Sequence, residues 1–115
     1  MELIINKNKF KVKTVMSPKD TSRGMMNKKF TNTFNGMLFI MSEGSHCFWM
    51  KNCIIPLDII FIDNGIITKI HHNCPPCKTK ECKNYCGEGD MILGLQGSTC
   101  KELNINIGDS IHSLD

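Results

Sequence analysis

No apolar run in this chain approaches the roughly 20 residues that a membrane helix needs, so no helical span is expected. The start, MELIINKNKF, has neither a long apolar segment nor a small-residue cleavage site, and no secretory leader is read there. Signatures of familiar chemistry are missing as well: there is no nucleophile elbow, phosphate loop, dinucleotide fingerprint or metalloprotease helix. There is no internal repeat and no linker, which argues for a single domain over residues 1–115. Arginine occurs once, at Arg23, against thirteen lysines. An Arg kept where the chain otherwise uses Lys suggests a forked, bidentate role, so Arg23 is expected to be partly buried and paired with a carboxylate or with backbone carbonyls.

The lysines are spread along the chain and the net charge is only +3, so no concentrated basic face speaks for nucleic acid. Hydrophobic residues make up 41%, which suits a folded core rather than a disordered chain. The Lys, Asn and Ile bias looks like AT-rich coding and admits a viral source. Without an export signal the expected location is cytoplasmic, or host cytoplasm or virion if the source is viral. In such a reducing place the seven Cys favour metal or free thiols over disulfides.

Along the chain, LII and KFKVKTV read as strands about the polar turn NKN. SPKDTSRG starts a helix with Ser17 as N-cap, Pro18 at the first helical position and Gly24 as its limit. NGMLFIM and HCFWMKNC follow as strands. DIIFID-NG-IITKIHH is the clearest element, two strands about Asn64-Gly65, the strongest short hairpin signal. Residues 73–90 read as loop, MILGL as a short strand, STCKELN as a short helix capped by Ser98, and INIGDSI as a closing strand or turn. The expected fold is mainly β with a minor α part: a curled or barrel-like antiparallel sheet of short strands, with one or two short helices.

Two groups of residues could carry chemistry. The first lies in CFWMKNCIIPLDIIF, an apolar stretch that contains Lys51, Asn52 and Asp58. Burying polar groups is costly unless they are paired, so they mark either a wet face or a site. If CFWMKN is a strand, Trp49 and Lys51 share a face, with the Lys stem over the indole. A two-residue turn at Asn64-Gly65 pairs Asp63 with Ile66 and, stepping outward, Asp58 with His71. Arg23, Trp49, Lys51, Asn52, Asp58 and His71 would then form a shallow site for an anionic or carbohydrate-like ligand. The plainer alternative is that Lys51, Asn52 and Asp58 cap turns and pin the bend at Ile54–Pro56. The second group is Cys74-x-x-Cys77-x4-Cys82-x3-Cys86, whose first pair has zinc-ligand spacing and where His71 or His72 could replace a thiolate. Zinc is the one cofactor this suggests. A redox CxxC role is weaker, because no thioredoxin-like strand–helix unit surrounds it.

RGMM, NGMLFIM, FWMKNCIIPLDIIFID and INIGDSI together resemble the domain-of-unknown-function 192 family over residues 10–112. Its pattern runs R-G-L-M, G-M-L-F, F-W-M-K-N-T-x-I-P-L-D-I, a loop with Cys and Tyr, and L-G-I-x-x-G-D. The resemblance puts Arg23, Gly24, Met26, Gly36, Met37, the run Phe48 to Asn52, Pro56, Leu57, Asp58 and Gly108-Asp109 on signature positions. Cys53 stands where Thr is usual. The resemblance also implies that Cys77 and Cys82 are the family's paired Cys, a disulfide in an oxidising compartment, with Cys74 and Cys86 as additions. Family members are often exported, whereas no signal is read here. It implies a fold and no activity.

The reading that follows is a small non-catalytic binding or accessory domain, whose partner is a small molecule or a protein. A zinc- or thiol-bearing accessory protein is the alternative. An enzyme working through Lys51, Asp58 and His71 is third.

Overall fold

A computed structural model of the chain describes residues 1–114. The elements run β1 (Glu2–Ile5), β2 (Asn8–Val15), α1 (Pro18–Arg23), β3 (Gly36–Ile40), β4 (Ser45–Trp49), β5 (Leu57–Asp63), β6 (Ile66–Cys74), β7 (Asn84–Glu88), β8 (Met91–Gln96), α2 (Thr99–Glu102) and β9 (Ile111–Ser113). Seven strands form one sheet in the order β6-β5-β8-β3-β2-β1-β9, and β4 with β7 makes a separate two-stranded ribbon. The large sheet curls into a half-barrel. Its two edges meet at one end, where Ile66 bridges Ser110 just before β9.

Turn chemistry sets several of these elements. Asn6 and Lys7 both take positive φ, 50° and 70°, as a two-residue hairpin turn requires. Asn64 and Gly65 do the same between β5 and β6, at 50° and 80°. Ser17 caps α1 by accepting from the Asp20 N–H at 3.1 Å, Pro18 opens it, and Gly24 at φ 43° ends it. One pairing departs from the expected antiparallel sheet: β2 and β3 run parallel. The reason is topological, since α1 and residues 24–35 carry the chain back across before β3 begins.

The sheet is buried on both faces. Inside the curl lie Leu3, Ile5, Phe10, Leu38, Ile60, Leu93 and Ile105. On the outer face lie Met37, Phe39, Met50, Ile59, Phe61 and Ile92, covered by Met25, Phe30 and Phe34 of the crossover and by the β4–β7 ribbon. β5 accordingly has six of its seven residues buried and reads as a continuous apolar run. Phe48 of the ribbon packs edge-on against Phe39 and Phe61, with ring centres 5.0 and 6.3 Å away.

β7 corrects the expectation of loop throughout 73–90. NYCGE has little strand propensity of its own. It is held from outside: Cys86 is disulfide-bonded to Cys47 directly across the ribbon, and β6 side chains bond its far edge. Gly87 lets it lie close on the sheet, because a β-carbon there would come 2.5 Å from the Phe61 ring.

Gly87→Ala should therefore lower stability by about 1–3 kcal/mol, the usual cost of overpacking a filled core. A thermal midpoint equal to that of the wild type would show that the ribbon does not seat on Phe61 as described.

Candidate functional site

Asp58 is fully buried, 0% exposed. Its Oδ1 accepts from the backbone N–H of Asn73 at 2.7 Å and of Ser98 at 3.0 Å, and its Oδ2 from Cys100 N–H at 2.8 Å. Ser98 itself, expected as the α2 cap, sits at φ 74° and makes no side-chain cap bond. Asp58 does that work from another strand, satisfying donors at the helix start that would otherwise be orphaned.

This overturns the expected Asp58–His71 pair. The β5–β6 register is as read only for Asp63–Ile66 and Ile62–Ile67. Then Thr68 is inserted as a bulge, and Phe61 faces Lys69 while Ile59 faces His71. The Thr68 hydroxyl fixes the bulge, reaching both Phe61 O (3.2 Å) and Glu88 O (2.8 Å). A second irregularity lies between Leu57 and Ile59, opposite Asn73, whose φ of 48° turns its N–H onto Asp58. His71 lies instead under β7, its Nε2 2.8 Å from Cys86 O and its ring 5.3 Å from that of Tyr85.

The other motif residues also have structural partners. β4 ends at Trp49, so Lys51 does not continue its face beside the indole. The Lys51 ammonium donates to Thr79 O. Asn52 takes φ 59°, its N–H donates to Cys77 O at 2.9 Å, and its carbonyl accepts from Asn27 at 2.8 Å. Lys51 and Asn52 thus tie the cysteine loop and the crossover to one turn. Arg23 corrects another expectation: it is exposed, and its side chain makes no bond to a described residue.

The four loop thiolates are not gathered either. Cys77 is bonded to Cys82, as the family resemblance implied, Cys86 to Cys47, and Cys74 is buried and free. Among the described residues no three His, Cys, Asp or Glu side chains converge as a metal set. Cys53 and Cys100 are the other free thiols, both buried. Burial raises the Cys74 pKa to about 11, the Asp58 charge adding to it and a Tyr85 hydrogen bond opposing it. Cys100 is raised further, by burial first and then by Asp58.

What remains is Trp49. It is 47% exposed, the only Trp, and opposite Asn84 in the ribbon. It lines a cleft of about 340 Å³ with Thr21, Ser22, Met26, Met41 and the run His46–Phe48. A second hollow, about 360 Å³, shares Thr21, Ser22 and Met41 and runs on to Met16, which is 70% exposed. Sequence reasoning found Trp49 but missed the methionines opposite, which carry no pattern until α1 folds beside β4.

Residues 1–113 match the DUF192 family, described as an uncharacterised ACR, and the chain belongs to that family. A protein of unknown function from Novosphingobium aromaticivorans superposes with a TM-score of 0.84 at 23% identity, over 97% of this chain and 84% of that one. A protein from Sinorhizobium meliloti, named provisionally as a transcription regulator, superposes with a TM-score of 0.82 at 28% identity, over 96% and 89%. No curated protein matches.

Asp58→Asn should cost about 2–3 kcal/mol, since at least one buried N–H loses a charged acceptor, and chemical denaturation would measure it. An unchanged midpoint would remove Asp58 from its structural role. The raised thiols give a pH dependence with a definite sign. The fold prefers neutral Cys74 and Cys100, so their contribution is full below the ordinary thiol value of 9.0 and declines as pH rises through about 11. Cys74→Ser should flatten part of that decline; an identical alkaline profile would mean that Cys74 is not buried as described.

Proposed function

We propose that this member of the DUF192 family is a single-domain, non-catalytic binding module whose partner surface is the cleft beside Trp49. The observation that carries it is a half-exposed Trp that lines, with Met26, Met41 and its neighbour Phe48, a cleft of about 340 Å³. Pockets that orient a ligand combine such apolar walls with a few polar groups, here Thr21, Ser22 and His46. Methionine adapts its shape at low cost and is common on binding surfaces.

The surface site expected from Trp49, Lys51, Asn52, Asp58, His71 and Arg23 narrows under this reading. The side chains of Lys51, Asp58 and His71 are each committed to a backbone group elsewhere, and Asn52 is tied into its turn by its own backbone. The same commitments weaken an enzyme built on Lys51, Asp58 and His71. Two disulfides weigh against the zinc alternative and against a reducing, cytoplasmic setting, because such bonds persist in oxidising compartments. No described helix is long and apolar enough to cross a membrane.

Trp49 emission reports the cleft directly. A panel of small molecules and short peptides, titrated against the full chain, should contain ligands that shift it saturably and move the amide NMR signals of Thr21, Met26 and Met41. Trp49→Ala should weaken them at least tenfold, as for an aromatic hot spot, while changing stability by less than about 1 kcal/mol. Ligands that bind without disturbing any of these residues would place the site elsewhere, and a collapsed melting midpoint in Trp49→Ala would make the ring structural.

A further inference from the structure

The two edges of the β4–β7 ribbon differ. Cys47 and Cys86 lie opposite each other with Cα atoms only 4.1 Å apart, the narrow spacing of a non-hydrogen-bonded antiparallel pair. Such pairs alternate, so the peptide groups of Ser45, Cys47 and Trp49 point away from β7, and those of Glu88, Cys86 and Asn84 point away from β4. The β7 side agrees: Cys86 O meets His71 Nε2 at 2.8 Å, and Glu88 O accepts from the Thr68 hydroxyl at 2.8 Å. That edge is covered. On the β4 side, no hydrogen bond from a described residue reaches the peptide groups of Ser45, Cys47 or Trp49.

The open edge borders the cleft. Four consecutive β4 residues, His46 to Trp49, line it, which places the cleft along the strand's edge and not only over one face. Beyond β4, past the Met50–Cys53 turn, the chain pairs its backbone again: Met26 bridges Cys53, and Asn27 N–H donates to Asn52 O at 2.8 Å. The cleft thus runs along unpaired β4 backbone, with Thr21 and Ser22 of α1 as its far wall.

We propose that the cleft takes an extended peptide segment from a partner protein, added as a third strand to β4, with an apolar side chain against Trp49 and Met41. This deepens the binding reading above and rests on it. Strand addition supplies affinity through main-chain bonds and specificity through alternate side chains, which the cleft provides on one flank. A second copy of this chain fits less well. The five-residue edge is about 17 Å long, and α1 stands across the cleft from it, an obstacle that a lone strand clears more readily than a second folded chain. Charge gives the segment a further feature. Arg23 follows Ser22 on the wall helix, and its guanidinium has no partner among the described residues, so a peptide carrying a carboxylate is favoured over a basic one.

Panning a random linear twelve-residue peptide library on the full chain, with disulfides intact, supplies the probe. Enriched peptides should carry an apolar residue near an acidic one. N-methylation of the peptide backbone should weaken binding about tenfold at alternate positions and leave the intervening ones within about twofold, the pattern of one lost backbone bond at a time. Ser45→Pro, which removes an outward N–H and no backbone bond of the ribbon, should weaken binding similarly, with Ser45→Ala as the control for the lost Ser45 Oγ–Glu88 bond (3.3 Å), and Arg23→Gln should weaken it most at low salt. Peptides that need Trp49 but show no alternation would overturn strand addition and leave the cleft reading standing. Peptides bound equally by Trp49→Ala would overturn both. No enrichment overturns the peptide proposal, as does self-association of the chain that Ser45→Pro abolishes.

Discussion

The fold depends on a single buried carboxylate. Asp58 sits at the start of β5, the strand between β6 and β8. Through three backbone N–H groups it fixes the end of β6 at Asn73, the turn at Ser98 and the start of α2 at Cys100. Each bond to a charged acceptor contributes roughly 1.5–3 kcal/mol, and a buried carboxylate is tolerable only when so satisfied. Without it the four-residue α2 would have neither an N-terminal partner nor a reason to form, since a helix so short does not stand alone. With it, Cys100 and Ile105 are carried into the curl of the sheet and fill it.

Much of this was legible in the chain and some was not, for physical reasons that differ by element. The N-terminal strands, the Asn64-Gly65 hairpin and α1 follow from local signals, namely alternation, left-handed turn residues and a Ser-Pro start, and these are local causes. The barrel-like curl follows from many short strands with buried faces. β7 was not legible, because its stability comes from Cys47, 39 residues away, and from two β6 side chains. The Asp58 bonds span 15 to 42 residues, and no spacing rule reaches that far. The hairpin register failed at Thr68, where one hydroxyl shared between two carbonyls outweighs regular pairing. Sequence proximity in the cysteine loop suggests zinc beside free thiols or the Cys77–Cys82 disulfide that the resemblance implies; folding forms that disulfide, sends Cys86 across the ribbon and puts Cys74 into the core. Composition alone suggested a viral source, and the fold does not speak to it.

The polar residues inside the apolar motif divide into those that the fold uses and those it does not. The side chains of Lys51 and Asp58 and the backbone of Asn52 bond groups distant in sequence, so these residues close turns, though not the bend at Ile54–Pro56. Their cost in an apolar stretch is offset by the turns they close. Trp49 and Arg23 are different. Neither holds the fold together: one ring stands half in water and one guanidinium lacks a partner among the described residues.

An exposed Trp is a hydrophobic liability on a free monomer, and an open strand edge is a second one, because unpaired peptide groups invite association. Here the two coincide on the five residues of β4. The ribbon's other edge is covered by His71 and Thr68, and the chain pairs its backbone again at Cys53, so the means to close such a stretch exist within the same fold. The large sheet limits its exposure in another way, by curling until Ile66 reaches Ser110. Against that background the stretch from Ser45 to Trp49 is the place where this fold leaves backbone, aromatic surface and a neighbouring positive charge available together. That coincidence, more than any single residue, is what singles it out as the proposed binding face.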